Sequence, residues 1–318
     1  MKVAWLFPGQ GSQFVGMGRD VAAASHAARD VYARVDAALA GELGRPLSQL
    51  CFEGPEGDLL LTAHTQPAMV ATSIALLSAL RERLPSLAAP SFAAGHSLGE
   101  YAAIVAASGM RVEDACVVVH RRGKAMQAAV PAGQGAMTAV MGLDPSVVEE
   151  VCRQATATTG EVASPANFNA PGQIVIAGGA KAIAHANELV SQKKGRAIPL
   201  KVSAPFHCEL MRPAAEVVRA ALEAIEVSTL AFPVVANVDA KPRTAPADVK
   251  DALVRQVDAP VRWQASVEAM AHAGVTHALE IGPGKVLQGL VKRIAKEIKL
   301  YGVSDLASLD GVPAFLSA

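Results

Sequence analysis

Ser97 has a glycine two residues away on each side, in the stretch AGHSLGEY that runs from Ala94 to Tyr101. A serine hydroxyl becomes a useful nucleophile where the backbone presents it and a base takes its proton. The G-x-S-x-G spacing meets the first condition on a strand-to-helix turn. Its glycines let backbones approach closely, the hydroxyl projects, and the next residue's N–H faces an incoming oxyanion. The same five residues also suit a plain N-cap serine. The flanks have the required form: PSFAAG is short and apolar like a buried strand. LGEYAAIVAASG places Leu98, Ala102, Val105 and Ala106 on one helical face, with Gly109 as a stop.

The sequence offers eight histidines as the base. His96 adjoins Ser97, but on such a turn its side chain points away. His26, His64, His120, His185, His272 and His277 fall in helical or strand contexts that suit surface or satisfied rings. His207 lies in a proline-containing loop, VSAPFHCELMRP, at a junction where clefts form. A hydrolase triad would place an acid between serine and histidine in the chain. Asp114 and Asp144 precede His207 without occupying a recognisable strand-end loop, which argues against an ordinary esterase. A dyad with a neutrally oriented histidine fits better.

Other candidates have ordinary explanations. GQGSQ departs from the dinucleotide fingerprint because Phe14 stands where the third glycine belongs, and SQFVGMG lacks a phosphate-binding GK[ST]. Taken alone, Arg121 and Arg122 in RRGK read as a solvated helix stretch. Asn167 and Asn169 suit a turn between strands. Lys193, Lys194 and Arg196 suit an exposed helix end as well as a docking patch for an acidic protein. The four cysteines (Cys51, Cys116, Cys152, Cys208) show no C-x-x-C or zinc spacing, so no metal site is expected and reduced, cytoplasmic thiols are. Cys208 reads as a bystander beside His207.

The elements that must hold these residues follow from composition and texture. A chain of 318 residues can form a large α/β domain plus a smaller one. Lys+Arg and Asp+Glu both number 29, which disfavours a nucleic-acid surface, and no apolar run has membrane-spanning length. VAWLF reads as a first buried strand, followed by helices through about Leu84. Glu113 to Ala129 reads as another helix. From about Ala132 to Ser203 the order becomes β-α-β-β-α-β, with Asp144 as an N-cap, which is a ferredoxin-like module. Afterwards α/β texture resumes with PAAEVVRAALEAIE as a helix and PVVANV and THALEI as strands. KVLQGLVKRIAKEI reads as a C-terminal helix, and ASLDGVPAFLSA is weakly patterned.

Seven stretches stand in register with one family: FPGQGSQ, GHSLGEY, RRGKAMQ, NFNAPGQIVIAG, PFHCELMRPA, RQVDAPVRW and EIGPGKVLQGL. Over roughly Val3 to Ile294 the chain resembles the malonyl-CoA:acyl carrier protein transacylases of fatty-acid synthesis and the related acyltransferases of polyketide synthesis. The resemblance implies an α/β-hydrolase-like catalytic domain with a parallel sheet (1–131 and 204–318) and an inserted ferredoxin-like subdomain (132–203). It implies Ser97 as the residue acylated, His207 as general base, and the backbone N–H groups of Gln10 and Leu98 as the oxyanion hole. Arg122 would grip the free malonyl carboxylate, and the Gln256 carbonyl would orient the histidine in place of an acid. Asn167 and Asn169 would lie at the active-site mouth. The implied substrates are malonyl-CoA as donor and the phosphopantetheine thiol of an acyl carrier protein as acceptor, with no bound cofactor.

Phe206 resembles the malonyl-selecting polyketide acyltransferases, in which a ring limits room at C2. The usual fatty-acid pattern has a small residue there, so the pathway stays open. Two further readings share the same serine machinery: an acyltransferase for other acyl-CoA extender units and a serine thioester hydrolase. A scaffold that only binds carrier proteins is disfavoured, because no catalytic position is lost.

Overall fold

The computed structural model describes residues 1–202 and 204–317. Ser203, the expected last residue of the insert, lies outside them. Among the described residues ten strands follow in chain order: Val3–Phe7 (β1), Phe92–Gly95 (β2), Gly135–Met141 (β3), Ala163–Ala170 (β4) and Gln173–Gly179 (β5). Then come Arg196–Pro199 (β6), Val234–Val235 (β7), Pro242–Arg243 (β8), His277–Ile281 (β9) and Lys299–Val303 (β10).

One sheet has the order β10-β9-β1-β2-β7-β8. Its strands run parallel except for the short β8. β1 and β2 are almost wholly buried apolar runs, as expected where helices cover both faces of a parallel sheet, and β9 is buried throughout although it carries His277 and Glu280. The helix Thr62–Arg83 is buried on every side and packs beside Val112–Ala128, which carries Arg122. The parallel register sets Phe7 beside Gly95, so the loops after β1 and β2 leave the same sheet end side by side. Ligand sites in open α/β sheets form at these carboxyl ends.

The second sheet is antiparallel, with the order β4-β5-β3-β6. The helices Pro145–Thr159 and Ala180–Gln192 cover one face through Val140, Val148, Val151, Ile176, Ile183 and Val190. The other face packs Met137, Ala166, Val175 and Ala177 against Cys208, directly after His207. β4 is also stitched to the parallel-sheet part of the chain: Val261 donates to Ala166 O at 2.9 Å and Phe168 donates to Val261 O at 2.9 Å. The small sheet therefore forms one wall against the loop that carries His207.

Several sequence expectations change. The helix Gly99–Ala106 is buried nearly all round instead of along one face, and it encloses a carboxylate, Glu100. Asp144 sits at the N-cap position but makes no side-chain capping bond. Asn167 and Asn169 lie within β4, not in the turn, which falls at Pro171 and Gly172. The C-terminal helix ends at Ile294, and Lys299–Val303 forms an edge strand against β9. The weakly patterned tail forms a 3-10 turn, Ala307–Gly311, and a short helix, Val312–Leu316. No helix among the described residues is long and apolar enough to cross a membrane.

Candidate active site

The turn after β2 is closed by backbone contact. His96 donates its N–H to Phe7 O at 3.0 Å, and Gly99 donates to His96 O at 2.9 Å. A Cβ on Gly95 would overlap the Gly99 carbonyl, and a Cβ on Gly99 would overlap the Phe7 carbonyl, so only glycine fits either place. Between them Ser97 takes a φ of 52°, in the left-handed region. For a non-glycine residue such a conformation costs about 1–3 kcal/mol and persists only where the surroundings enforce it. Asn237 does the enforcing. Its Oδ1 accepts the Ser97 N–H at 2.7 Å while its Nδ2 donates to Gly95 O at 2.7 Å.

His207 also adopts the left-handed region, at φ 60°, in the loop between β6 and the helix Arg212–Glu223. Its Nε2 lies 2.8 Å from Ser97 Oγ and its Nδ1 lies 2.9 Å from the Gln256 carbonyl. A carbonyl only accepts, so Nδ1 carries the ring proton and Nε2 is left to accept from the serine. Burial and the neighbouring Arg122 guanidinium push the imidazole down to about 3, which keeps the ring unprotonated with Nε2 open as an acceptor. A carbonyl thus does the orienting for which no acid was found in the sequence.

Arg122 is only 1% exposed. Its Nη1 donates to Gln66 Oε1 at 2.7 Å, and its Nη2 donates to Gln256 Oε1 at 2.9 Å and to Ser97 Oγ at 3.0 Å. All three acceptors are neutral, and Nε is buried without a partner among the described residues. The Tyr101 ring lies 5.9 Å from the guanidinium carbon. A buried cation held by neutral acceptors is a strong site for an anion that arrives with the ligand.

Gln10, Ser97, Leu98, Arg122, Phe206 and His207 line one cleft of about 450 Å³, and Asn167 lies on its wall. The backbone N–H groups of Gln10 and Leu98 have no acceptor among the described residues, so both are free to serve an oxyanion. Asn169 stands one step back, its Oδ1 2.8 Å from His96 Nε2. His96 therefore faces Asn169 instead of the serine hydroxyl, and burial lowers its pKa. Gln256 lies buried behind the cleft. Arg121 points outward near Glu42, at 3.9 Å. Cys208 is a buried thiol pushed up to about 11 by burial, its Sγ bonded to Pro205 O at 3.0 Å, and takes no part.

Sequence reasoning missed three residues that hold the site: Gln66, Glu100 and Asn237. Glu100 lies within the quoted GHSLGEY motif, and its placement among apolar neighbours was the available signal. Gln66 follows Thr62, His64 and Thr65, and Asn237 precedes Asp239 and Lys241, so nothing local sets either one apart from its polar neighbours.

The chain matches the family model described as "Acyl transferase domain" over residues 4–314. It is 45% identical over 310 residues to the malonyl CoA-acyl carrier protein transacylase of Bacillus subtilis, covering 97% of this chain and 95% of that protein. A crystal structure of an acyl carrier protein S-malonyltransferase from Vibrio cholerae superposes with a TM-score of 0.92 at 44% identity, covering 98% of this chain and all (100%) of that one. A malonyl-transacylase solved in complex with a type II PKS acyl-carrier protein superposes with a TM-score of 0.93 at 43% identity, covering 100% of both chains.

Proposed function

We propose, because the chain belongs to the acyl transferase family and within it to the malonyl CoA-acyl carrier protein transacylases, that Ser97 carries the malonyl group between two thiols. The donor is malonyl-CoA and the acceptor is the phosphopantetheine thiol of an acyl carrier protein. One observation carries the assignment of residues. Ser97 Oγ lies within hydrogen-bond distance of both a neutral imidazole acceptor, His207 Nε2, and a buried cation, Arg122 Nη2.

In this reading His207 Nε2 takes the Ser97 proton as Oγ attacks the thioester carbonyl carbon. The N–H groups of Gln10 and Leu98 receive the oxygen as it becomes an anion, a contribution of about 10²–10³ in rate per donor. Collapse breaks the C–S bond, and the departing CoA sulfur takes the proton from His207. In the second half the carrier thiol gives its proton to His207 and attacks the malonyl-serine ester, which returns Ser97 to its hydroxyl. The malonyl carboxylate replaces Ser97 as a partner of Arg122 Nη2, while Gln66 and Gln256 keep the other bonds of the guanidinium. Phe206 lies on the cleft wall and limits the room beside C2. Asn167 shapes the mouth, with Asn169 behind it.

Coenzyme A is a substrate in this scheme, and no resident cofactor is needed. The four buried free cysteines support a reducing, cytoplasmic setting. The test against thioester hydrolysis uses labelled malonyl-CoA with a phosphopantetheinylated carrier protein. Label should collect on the carrier far faster than in free malonate. Free malonate as the main product would replace the transferase reading with the hydrolase one.

A further inference from the structure

Glu100 is the buried carboxylate that the scheme above leaves unused. It lies in the helix that Ser97 launches, is 2% exposed, and touches neither the cleft nor its ligand-facing atoms. One of its oxygens, Oε2, takes two hydrogen bonds: the Asn237 backbone N–H at 3.0 Å and the Gln256 side-chain amide at 2.7 Å. Each donor belongs to a residue that holds part of the active site. Asn237 fixes the Ser97 backbone through its Oδ1 at 2.7 Å. Gln256 donates from Nε2 to Ser97 O at 3.0 Å, presents its carbonyl to His207 Nδ1, and accepts Arg122 Nη2 at its Oε1 at 2.9 Å.

We propose that Glu100 is a positioning residue, whose single oxygen fixes the spacing between the nucleophile at Ser97 and the carboxylate grip at Arg122. The inference rests on the malonyl-transfer reading and deepens it. Malonyl places its carboxylate only one methylene beyond the carbon that Ser97 attacks, so grip and nucleophile must be held in one register. Near-attack geometry is sensitive at this scale, and a displacement of about 1 Å can cost about 10² in rate. Without an acceptor at that point, the Gln256 amide would turn to find another, and its Oε1 would leave Arg122. Burial pushes Glu100 up to about 7, opposed first by the hydrogen bonds from Asn237 and Gln256 and then by the charges of Arg243 and Arg122. Its carboxyl therefore takes up a proton near neutrality. Protonation on its other oxygen leaves Oε2 an acceptor, so the proposed role depends on where the oxygen stands and not on its charge.

Two substitutions separate position from charge. Glu100→Asp keeps the charge but withdraws the oxygen by one methylene. Glu100→Gln removes the charge but leaves an oxygen in reach. The measurement is acyl-serine formation from malonyl-CoA and from acetyl-CoA, with each rate taken per active molecule from the burst amplitude. Glu100→Asp should slow both donors, with malonyl falling about tenfold further than acetyl, as expected when one buried hydrogen-bond acceptor is withdrawn. Glu100→Gln should keep the malonyl-to-acetyl ratio within a few-fold of wild type. Equal losses for the two donors in Glu100→Asp, or a Gln variant as impaired in ratio as the Asp variant, would overturn the proposal. Wild-type protein in the same assay separates the two levels: no malonyl-serine there would remove the transfer reading itself.

Discussion

Arg122 Nη2 stands 3.0 Å from Ser97 Oγ, so the buried cation already touches the hydroxyl that, in the proposed reading, takes up the acyl group. That closeness suits a three-carbon diacid, whose two carboxyl carbons flank a single methylene. An acyl chain without the second carboxylate would leave the buried guanidinium facing only neutral groups.

Arg122→Ala should therefore separate the donors. Losing the partner of a buried anion commonly costs about 3–5 kcal/mol, or roughly 10²–10³ or more in malonyl loading. Acetyl loading should hold steady or rise, because acetyl has no carboxylate to leave unpaired. Initial rates with each CoA ester, on protein shown to be folded by circular dichroism, make the comparison. A parallel fall for both would return Arg122 to a purely structural place.

His207→Ala should slow loading by about 10²–10⁴, the usual contribution of a general base. The pH dependence of the wild type gives a second reading of the same residue. The imidazole is held below its ordinary 6.5, at about 3, so the neutral form persists as the pH falls. Loading should then stay level from about pH 8 to about pH 5, with its acid limb lower still. The stability carried by the neutral ring has the same sign: it is fully present above 6.5 and is lost as the pH falls toward about 3. An activity limb centred near 6.5 would contradict the burial of His207 against Arg122.

Phe206→Ser should enlarge the cleft beside the acyl C2 and raise methylmalonyl-CoA loading relative to malonyl-CoA by roughly tenfold. A methyl group is worth about 1–3 kcal/mol of discrimination, so a relaxed preference is expected, not a reversed one. Competition between the two donors in one tube measures the ratio, and an unchanged ratio would remove Phe206 from selectivity.

Gly99→Ala tests the turn itself. Its Cβ would run into the Phe7 carbonyl, which belongs to the central strand β1 and has no room to move. The cost should reach or exceed about 3 kcal/mol, the upper end for overpacking a core. Urea unfolding reads this as a lowered midpoint, and an unchanged midpoint would mean that the turn is looser than its contacts imply.

The legibility of these residues in the sequence varies with how local their signal is. Ser97 stands out as a candidate within five residues because its glycines suit a turn that the chain makes within itself. The same five suit an N-cap serine, and the longer motifs had to decide. His207 needs the longer motif around it, since a loop position alone does not single out one ring among eight. Arg122 read by itself as a surface charge, because burial of a guanidinium depends on Gln66 and Gln256, 56 and 134 residues away. Glu100 and Asn237 meet across a separation of 137 residues, and no periodicity records such a contact. The fold follows the same rule. The β-α-β-β-α-β order was visible because each element is long enough to show its period. β7 and β8 have two residues each, and β10 is an edge strand that needs only one neighbour.

The most direct test asks whether malonyl becomes bonded to Ser97. Wild-type protein is mixed with malonyl-CoA without a carrier protein, quenched in acid, weighed intact, and digested to locate the adduct. One malonyl group per chain should appear, on the peptide that contains Ser97, and Ser97→Ala should carry none while remaining folded. A stoichiometric adduct on the Ser97→Ala chain, or one mapped to another residue of the wild type, would contradict the account.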